Sequence, residues 1–375
     1  MANWGCDVTT NCGERGPKLL IIEPFYGGSH KEHISCLIEG LIRNGIGYTL
    51  VTLSPKKWHW RARCSALMLR DKIPEISTEE ALFCSSILNL PELLGLRPDL
   101  CQLRKVVYFH ENQSIYPVKQ VKERDVQYAY NEITTSLAAD LVLFNSNFNR
   151  TSFLENINKI IRLFPDNRPK GIREQIEDKS KVLYYPMKYP VSTTDKVPQN
   201  SILHIVWPHR WEFDKGPEDF FDVILELKRL DCKFHLSVLG QVCADVPLVF
   251  HKATEELQEE IVHFGYLKSK DEYFEVLRAC DVVVSTAKHE FFGVSTLEAT
   301  YCGCLPLVPN NLVYPEIYPE ECLYKSLNDL CRTLQKFCSE PKTVRELRRR
   351  LCLDFSKYCS KNLIPEYINV LAVNE

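Results

Sequence analysis

Two glutamates eight residues apart, Glu290 and Glu298, lie in the most informative stretch of the chain. An apolar run ends near Ser285, a polar loop carries Glu290, and Gly293 stands where a helix is expected to begin, followed by Val294 and preceded by Phe292. A helix start offers free backbone N–H groups and the positive end of the helix dipole, which suits a diphosphate. Eight helical residues span ~12 Å, so one carboxylate can reach a sugar while the other reaches the ribose of the same nucleotide. Spacing alone leaves a second reading open, in which Glu290 caps the helix and Glu298 is solvated.

Arg210 and Lys215 follow the next informative apolar run, Ile202 to Trp207. A guanidinium fork and an ammonium point charge together can neutralise a diphosphate leaving group. Departure under two fixed cations needs no divalent metal, and no Asp-x-Asp metal motif is present. No metal and no cofactor are therefore expected, the nucleotide sugar serving as co-substrate. The competing reading is a surface ion pair of these cations with Glu212 or Asp214.

Three further groups fall at the ends of apolar runs in the first half. Gly27 and Gly28, followed by His30, permit a tight turn and close backbone approach to a sugar or diphosphate. They lack the Gly-x-Gly-x-x-Gly pattern, which argues against a nicotinamide enzyme. His110 ends another run and is a candidate contact for donor hydroxyls, or else a structural histidine. The block Lys56 to Arg63 holds Lys57, Trp58, His59, Trp60, Arg61 and Arg63. Cations interleaved with tryptophans can pair with phosphates while the rings stack on bases; a packed aromatic loop with solvated cations is the alternative. Asn145 to Phe148 is expected to cap a helix.

The two-glutamate stretch and its continuation through Thr300 to Pro309 resemble the family-4 retaining glycosyltransferases of the GT-B fold. The resemblance implies diphosphate contacts for Arg210 and Lys215, a place beside the transferred sugar for His110, and retention at the anomeric carbon. Ile22 to Lys31, Lys57 to Arg63, Tyr108 to Gln113, Val206 to Trp211 and Lys288 to Gly293 resemble more closely a branch that mannosylates queuosine, over about residues 18 to 330. That likeness implies GDP-mannose as donor and queuosine at the wobble position of an aspartate tRNA as acceptor. Glu23-Pro24-Phe25 departs slightly from the branch, which often has alanine at the proline. Two other readings stay open: a mannosyltransferase acting on a lipid, and a non-catalytic RNA-binding protein on the same scaffold. Against the lipid stands the lack of any strongly amphipathic basic helix in the sequence reading.

The elements that must hold these residues follow from hydropathy. Short apolar runs alternate with helical patterns, the sign of βαβ units and parallel sheets. Expected strands are Leu19 to Ile22, Tyr48 to Leu53, Ile87 to Leu90, Val106 to His110, Leu141 to Asn145 and Val182 to Tyr185, then Ile202 to Trp207, Phe234 to Leu239, Ile261 to Gly265, Val282 to Ser285 and Leu305 to Val308. The expected fold is α/β, of GT-B type, with two Rossmann-like doubly wound domains facing across a cleft. Residues 1–17 form a flexible tail, 18–188 an acceptor domain, 189–200 a linker, 201–350 a donor domain, and 351–375 a terminal helix that packs beyond its own domain.

With 375 residues, 45% hydrophobic and 25% charged, the chain suits a two-domain soluble enzyme. No run approaches the ~20 apolar residues of a membrane span, and residues 1–18 lack the apolar core of a secretion signal. A cytoplasmic protein is expected, with the nucleus also open, and a monomer. The 16 cysteines are scattered without Cys-x-x-Cys pairs, so reduced buried thiols are expected. The glycosylation patterns Asn112 to Ser114 and Asn149 to Thr151 should be inert. Net charge is −3, yet residues 1–188 carry 25 Lys and Arg against 21 Asp and Glu, the rest 21 against 28. That asymmetry points an anionic partner toward the first half.

Overall fold

A computed structural model describes residues 6–13, 17–115, 126–190, 202–241, 246–351 and 353–371. The chain forms two compact units, residues 1–188 with 356–375, and residues 189–355.

In unit 1 the strands are β1 (Cys6–Asn11), β2 (Pro17–Glu23), β3 (Gly47–Leu53), β4 (Ala81–Ser85), β5 (Arg104–Phe109), β6 (Leu141–Phe144) and β7 (Ser180–Val182). They are ordered β1-β3-β2-β4-β5-β6-β7, parallel except for β1 against β3. The helices are α1 (Gly28–Arg43), α2 (Trp58–Leu69), α3 (Leu90–Leu96), α4 (Val126–Ala138), α5 (Asn147–Ile161) and α6 (Ile172–Glu177). Because strand side chains alternate, Leu20, Ile22, Leu82, Val107 and Phe109 fill one face of the sheet. Leu19, Ile21, Phe83, Val106 and Tyr108 fill the other. Burial on both faces explains why these strands read as continuous apolar runs.

Unit 2 has β8 (Leu203–Pro208), β9 (Phe234–Leu239), β10 (Ile261–Gly265), β11 (Val282–Val284), β12 (Leu305–Pro309) and β13 (Leu323–Tyr324), in the all-parallel order β10-β9-β8-β11-β12-β13. Its helices are α7 (Pro217–Arg229), α8 (Val249–Glu256), α9 (Lys270–Ala279), α10 (Val294–Tyr301), α11 (Tyr314–Ile317), α12 (Leu327–Ser339) and α13 (Pro341–Arg350). The strand order reverses beside β2 in unit 1 and between β8 and β11 in unit 2. In open parallel sheets ligands bind beyond the carboxyl ends of the strands at such a reversal.

The last helix, α14 (Ser360–Leu371), belongs to unit 1. Leu363, Tyr367 and Leu371 complete the second face of its core. Gly40 makes this possible: a Cβ there would stand 2.1 Å from Cγ2 of Ile364 on α14. Glycine inside a helix costs about 1 kcal/mol against alanine, here in exchange for close helix packing. The Tyr367 hydroxyl donates to the carbonyl of Tyr184 at 3.0 Å.

Several expectations are corrected. Residues 6–11, assigned to the flexible tail, form β1, which satisfies the outer edge of β3 by backbone pairing; its exposed, β-branched Val8, Thr9 and Thr10 show no burial pattern to reveal it. Ile87 to Leu90 is not a strand, because Asn89 caps α3, accepting from the Glu92 N–H at 3.4 Å, with Pro91 in its first turn. The strand is the neighbouring β4. The block Lys56 to Arg63 leads into the helix α2 rather than a loop. The linker 189–200 lies outside the described residues from 191 onward. A basic helix does exist: α13 carries Lys342, Arg345, Arg348, Arg349 and Arg350, but its Val344 is buried and Leu347 half-buried, so little apolar surface faces outward. Among the described residues no helix is long and apolar enough to cross a membrane. Among the described residues Cys36, Cys84, Cys280, Cys304 and Cys322 are buried free thiols, while Cys12 and Cys101 are exposed ones, and Asn112 and Asn149 are fully buried, out of reach of any glycosylating enzyme.

Candidate active site

Around the β8/β11 reversal, two loops bring Lys215 and Glu290 together. Lys215 ends a short 3-10 turn after β8, and Gly216, in the left-handed region at φ 63°, lets Pro217 open α7. A Cβ on Gly216 would stand 2.2 Å from the carbonyl oxygen of Thr286, so the β8 and β11 loops close on each other only over glycine. Lys215 Nζ donates to the carbonyl of His289 at 3.1 Å and pairs with Glu290 Oε2 at 3.2 Å and Asp214 Oδ2 at 3.3 Å. Burial pushes the Glu290 carboxyl up, but Lys215, His209 and the Gly293 backbone more than offset this and bring it down to about 2. Burial lowers the Lys215 ammonium, and Glu290 with Asp214 outweighs it, leaving it raised. Both stay charged in a largely dry setting, a fixed dipole suited to orienting a polar ligand.

Gly293, at φ 78°, caps α10 with a left-handed turn, and Phe291 and Phe292 are buried behind the loop. Val294 and Ser295 open the helix, and Ser295 Oγ lies 3.3 Å from Nδ1 of His209. His209 is buried, and burial together with the Lys215 charge lowers it to about 4, so it is neutral at pH 7. A third glycine, Gly240 at the end of β9, runs so close to this segment that a Cβ would meet the His209 carbonyl oxygen at 1.9 Å.

Glu298 is not solvated: it is buried on α10 and pairs with Lys270 Nζ at 2.5 Å. The Arg210 guanidinium is half-exposed, 3.1 Å from Glu212 Oε2, and its charge acts on the Lys215 ammonium. Sequence reasoning missed His209, Ser295 and Lys270; the ion pairs of its competing reading are present, Lys215 with Asp214 at 3.3 Å and Arg210 with Glu212 at 3.1 Å. His209 was legible as the residue between Pro208 and Arg210; Lys270, twenty-eight positions from Glu298, carried no local signal.

In unit 1, Gly27 and Gly28 turn the chain from β2 into α1, and a Cβ on Gly27 would meet Pro55 Cγ at 2.4 Å. His30, in the first turn of α1, lies against His110 with ring centroids 3.9 Å apart and planes tilted by 34°. His110 is held from behind: Asn145 Nδ2 donates to its carbonyl at 2.7 Å, and Asn149 donates to Asn145 Oδ1 at 2.9 Å. Ser146 caps α5 as expected, accepting the Asn149 N–H at 3.0 Å. Ligand atoms of Glu23, His30 and His110 lie within 4.8 Å of one another, close enough to hold a metal ion.

Helix α2 sorts the basic aromatic block into two sets. Trp58 packs on Tyr128 at 5.1 Å, Arg63 lies over the same ring at 4.4 Å, and Arg61 bonds the carbonyl and hydroxyl of Ser54, both at 3.1 Å. Lys57, His59 and Trp60 face solvent, Trp60 with 55% exposure.

Residues 18–187 match the family described as tRNA-queuosine alpha-mannosyltransferase N-terminal, and residues 200–348 match glycosyl transferases group 1. A Drosophila melanogaster protein named tRNA-queuosine alpha-mannosyltransferase is 47% identical over 365 residues, 94% of this chain and 96% of that protein. The chain belongs to the tRNA-queuosine alpha-mannosyltransferase family. By the match of its second half and the name of this relative, the chain is a glycosyltransferase. Solved structures similar in fold include OtsA, with TM-score 0.66, 11% identity and coverage of 96% of this chain and 100% of that one. Sucrose-phosphate synthase from Thermosynechococcus elongatus gives TM-score 0.62 and 13% identity over 94% of this chain and 99% of that one. At these identities the likeness establishes the fold alone, GT-B with two Rossmann-like units.

Proposed function

We propose that the chain transfers mannose from GDP-mannose to queuosine at the wobble position of aspartate tRNA, with retention at the anomeric carbon. The observation that carries this reading is the 47% identity to the Drosophila protein across 94% of the chain. The donor lies on unit 2. Lys215 and Arg210 neutralise the diphosphate, the N–H groups of Val294 and Ser295 meet it at the start of α10, and Glu290 and Glu298 hold sugar and ribose hydroxyls. Supporting this, Glu290 is charged beside Lys215, and α10 opens on a bare glycine turn.

In the transfer, the bond from the anomeric carbon to the diphosphate oxygen breaks while the acceptor oxygen bonds to the same face. The acceptor proton passes to the departing diphosphate. The two cations need no metal partner for this step. The exposed Lys57, His59 and Trp60 form the tRNA side, where Trp60 stacks on a base and Lys57 meets a phosphate, while Trp58, Arg61 and Arg63 hold the helix that presents them. The lipid-acceptor reading gains nothing from α13, whose apolar residues turn inward.

The test incubates the protein with GDP- and UDP-sugars in turn and queuosine-containing tRNA, followed by mass analysis of nucleosides. A hexose on queuosine from GDP-mannose alone is expected. No hexose from any donor sinks the acceptor reading, and intact transfer by Arg210→Ala combined with Lys215→Ala sinks the donor site.

A further inference from the structure

Glu23 ends β2 with its side chain fully buried. One carboxylate oxygen is satisfied: Oε1 accepts the Phe25 N–H at 2.9 Å and the Ser85 hydroxyl at 3.1 Å. The other, Oε2, has no hydrogen bond, although Nδ1 of His30 stands 3.2 Å away. A buried carboxylate oxygen without a donor is costly. Two imidazoles converge on it: one ligand atom each from Glu23, His30 and His110 fall within 4.8 Å of one another. No lysine or arginine is hydrogen-bonded or ion-paired to Glu23 among the described residues.

We propose that Glu23, His30 and His110 bind one divalent transition-metal ion of the zinc class, with a fourth position left for water or a substrate oxygen. Two nitrogens and one carboxylate oxygen are a zinc donor set of the kind that keeps an open position. Ligand atoms around a tetrahedral zinc lie about 3.3 Å apart, given metal–ligand bonds near 2.0–2.1 Å. The Glu23–His30 separation of 3.2 Å already has that length, and the His110 ligand atom lies within 4.8 Å of both. The supporting contacts are those a metal site requires. Ser85 and Phe25 engage Oε1 and so turn Oε2 toward the ion. Asn145 pins the His110 carbonyl, and Nδ1 of His33 stands 3.3 Å from Nε2 of His110. The ion would belong to unit 1 and is separate from the Lys215 and Arg210 charges assigned to the diphosphate on unit 2. It revises the sequence expectation of no metal and takes His110 from the sugar to the ion, while leaving the Lys215 and Arg210 assignment as it stands.

The test uses the full chain, stripped with a chelator and titrated with cobalt(II), then zinc(II). Expected are one cobalt per chain, strong visible absorption of a four-coordinate ion, no thiolate charge-transfer band, and displacement by zinc. Glu23→Gln and His110→Ala should each weaken binding about tenfold or more, while His251→Ala, on the exposed face of α8, leaves it unchanged. Should either variant fail to fold, X-ray absorption of the wild-type zinc complex decides: a nitrogen and oxygen shell with imidazole scattering supports the site. Sulfur in that shell, a thiolate band, unsaturable binding, or equal affinity in the folded variants overturns it. Binding is read without any sugar transfer, so a metal-loaded protein that mannosylates nothing keeps this site and loses only the mannosyl reading.

Discussion

Lys215 and Glu290, seventy-five residues apart, meet as an ion pair with Nζ 3.2 Å from Oε2 at the reversal of the second sheet. Asp214 and the His289 carbonyl complete the ammonium's surroundings. Removing one partner of a largely buried pair leaves the other uncompensated, at about 3–5 kcal/mol. Lys215→Met is therefore expected to lower stability by that order and sugar transfer by about a hundredfold or more. Adding Glu290→Gln should recover part of the stability but none of the activity. Urea unfolding of both single variants and the double variant, set beside initial rates, checks this; additive stability losses would show that the pair is not coupled.

Acid should weaken the fold in two stages. Burial foremost, then the Lys215 charge, holds His209 and His289 near 4, below the 6.5 of an exposed imidazole. The unfolded chain thus binds protons first, and their contribution, complete above pH 6.5, is lost between 6.5 and about 4. Glu290, depressed to about 2 from 4.5, contributes stability present above pH 4.5 and lost as pH falls toward 2. Unfolding free energies from pH 8 to 3 should fall from 6.5 downward, and His209→Phe should flatten the upper stage. A wild-type profile level down to pH 4.5 would contradict it.

Trp60 and Trp58 should separate binding from folding. Trp60→Ala is expected to weaken tRNA binding by about 1–3 kcal/mol, the worth of one stacked base, with the melting temperature unchanged. Trp58→Ala removes the ring packed on Tyr128 and should lower the melting temperature. Filter binding at two salt concentrations together with thermal scans would show it; equal affinities for wild type and Trp60→Ala would place the RNA elsewhere.

Gly293→Ala tests the turn before α10. The backbone there is left-handed, and the new Cβ would sit 2.8 Å from Thr296 Oγ1. Strain of about 1–3 kcal/mol is expected, with donor KM rising as the Glu290 loop shifts. Unchanged KM would uncouple this turn from the nucleotide sugar.

Much of this arrangement was readable beforehand where chemistry is local. Central strands buried on both faces announce themselves as apolar runs, and glycines followed by helices mark the loops at their carboxyl ends. What escaped depends on partners far along the chain. Lys270 finds Glu298, and Glu23 faces His110, only once the sheets are assembled. Ile87 to Leu90 is as apolar as β4, and only the Asn89 cap with Pro91 diverts it into a helix. Edge strand β1 has no hydrophobic alternation because both its faces are open to water. The interleaving of cations and rings was visible, but not that Tyr128 would claim Trp58 and Arg63 while leaving Trp60 exposed.

Helix α14 has a consequence for biosynthesis. Leu363, Tyr367 and Leu371 complete a core whose other members lie between Leu19 and Leu183. The ribosome releases all of unit 2 before those side chains exist outside the tunnel. The first unit must therefore wait, with one face of its sheet only partly covered, while the second is made, so the unit begun first is finished last.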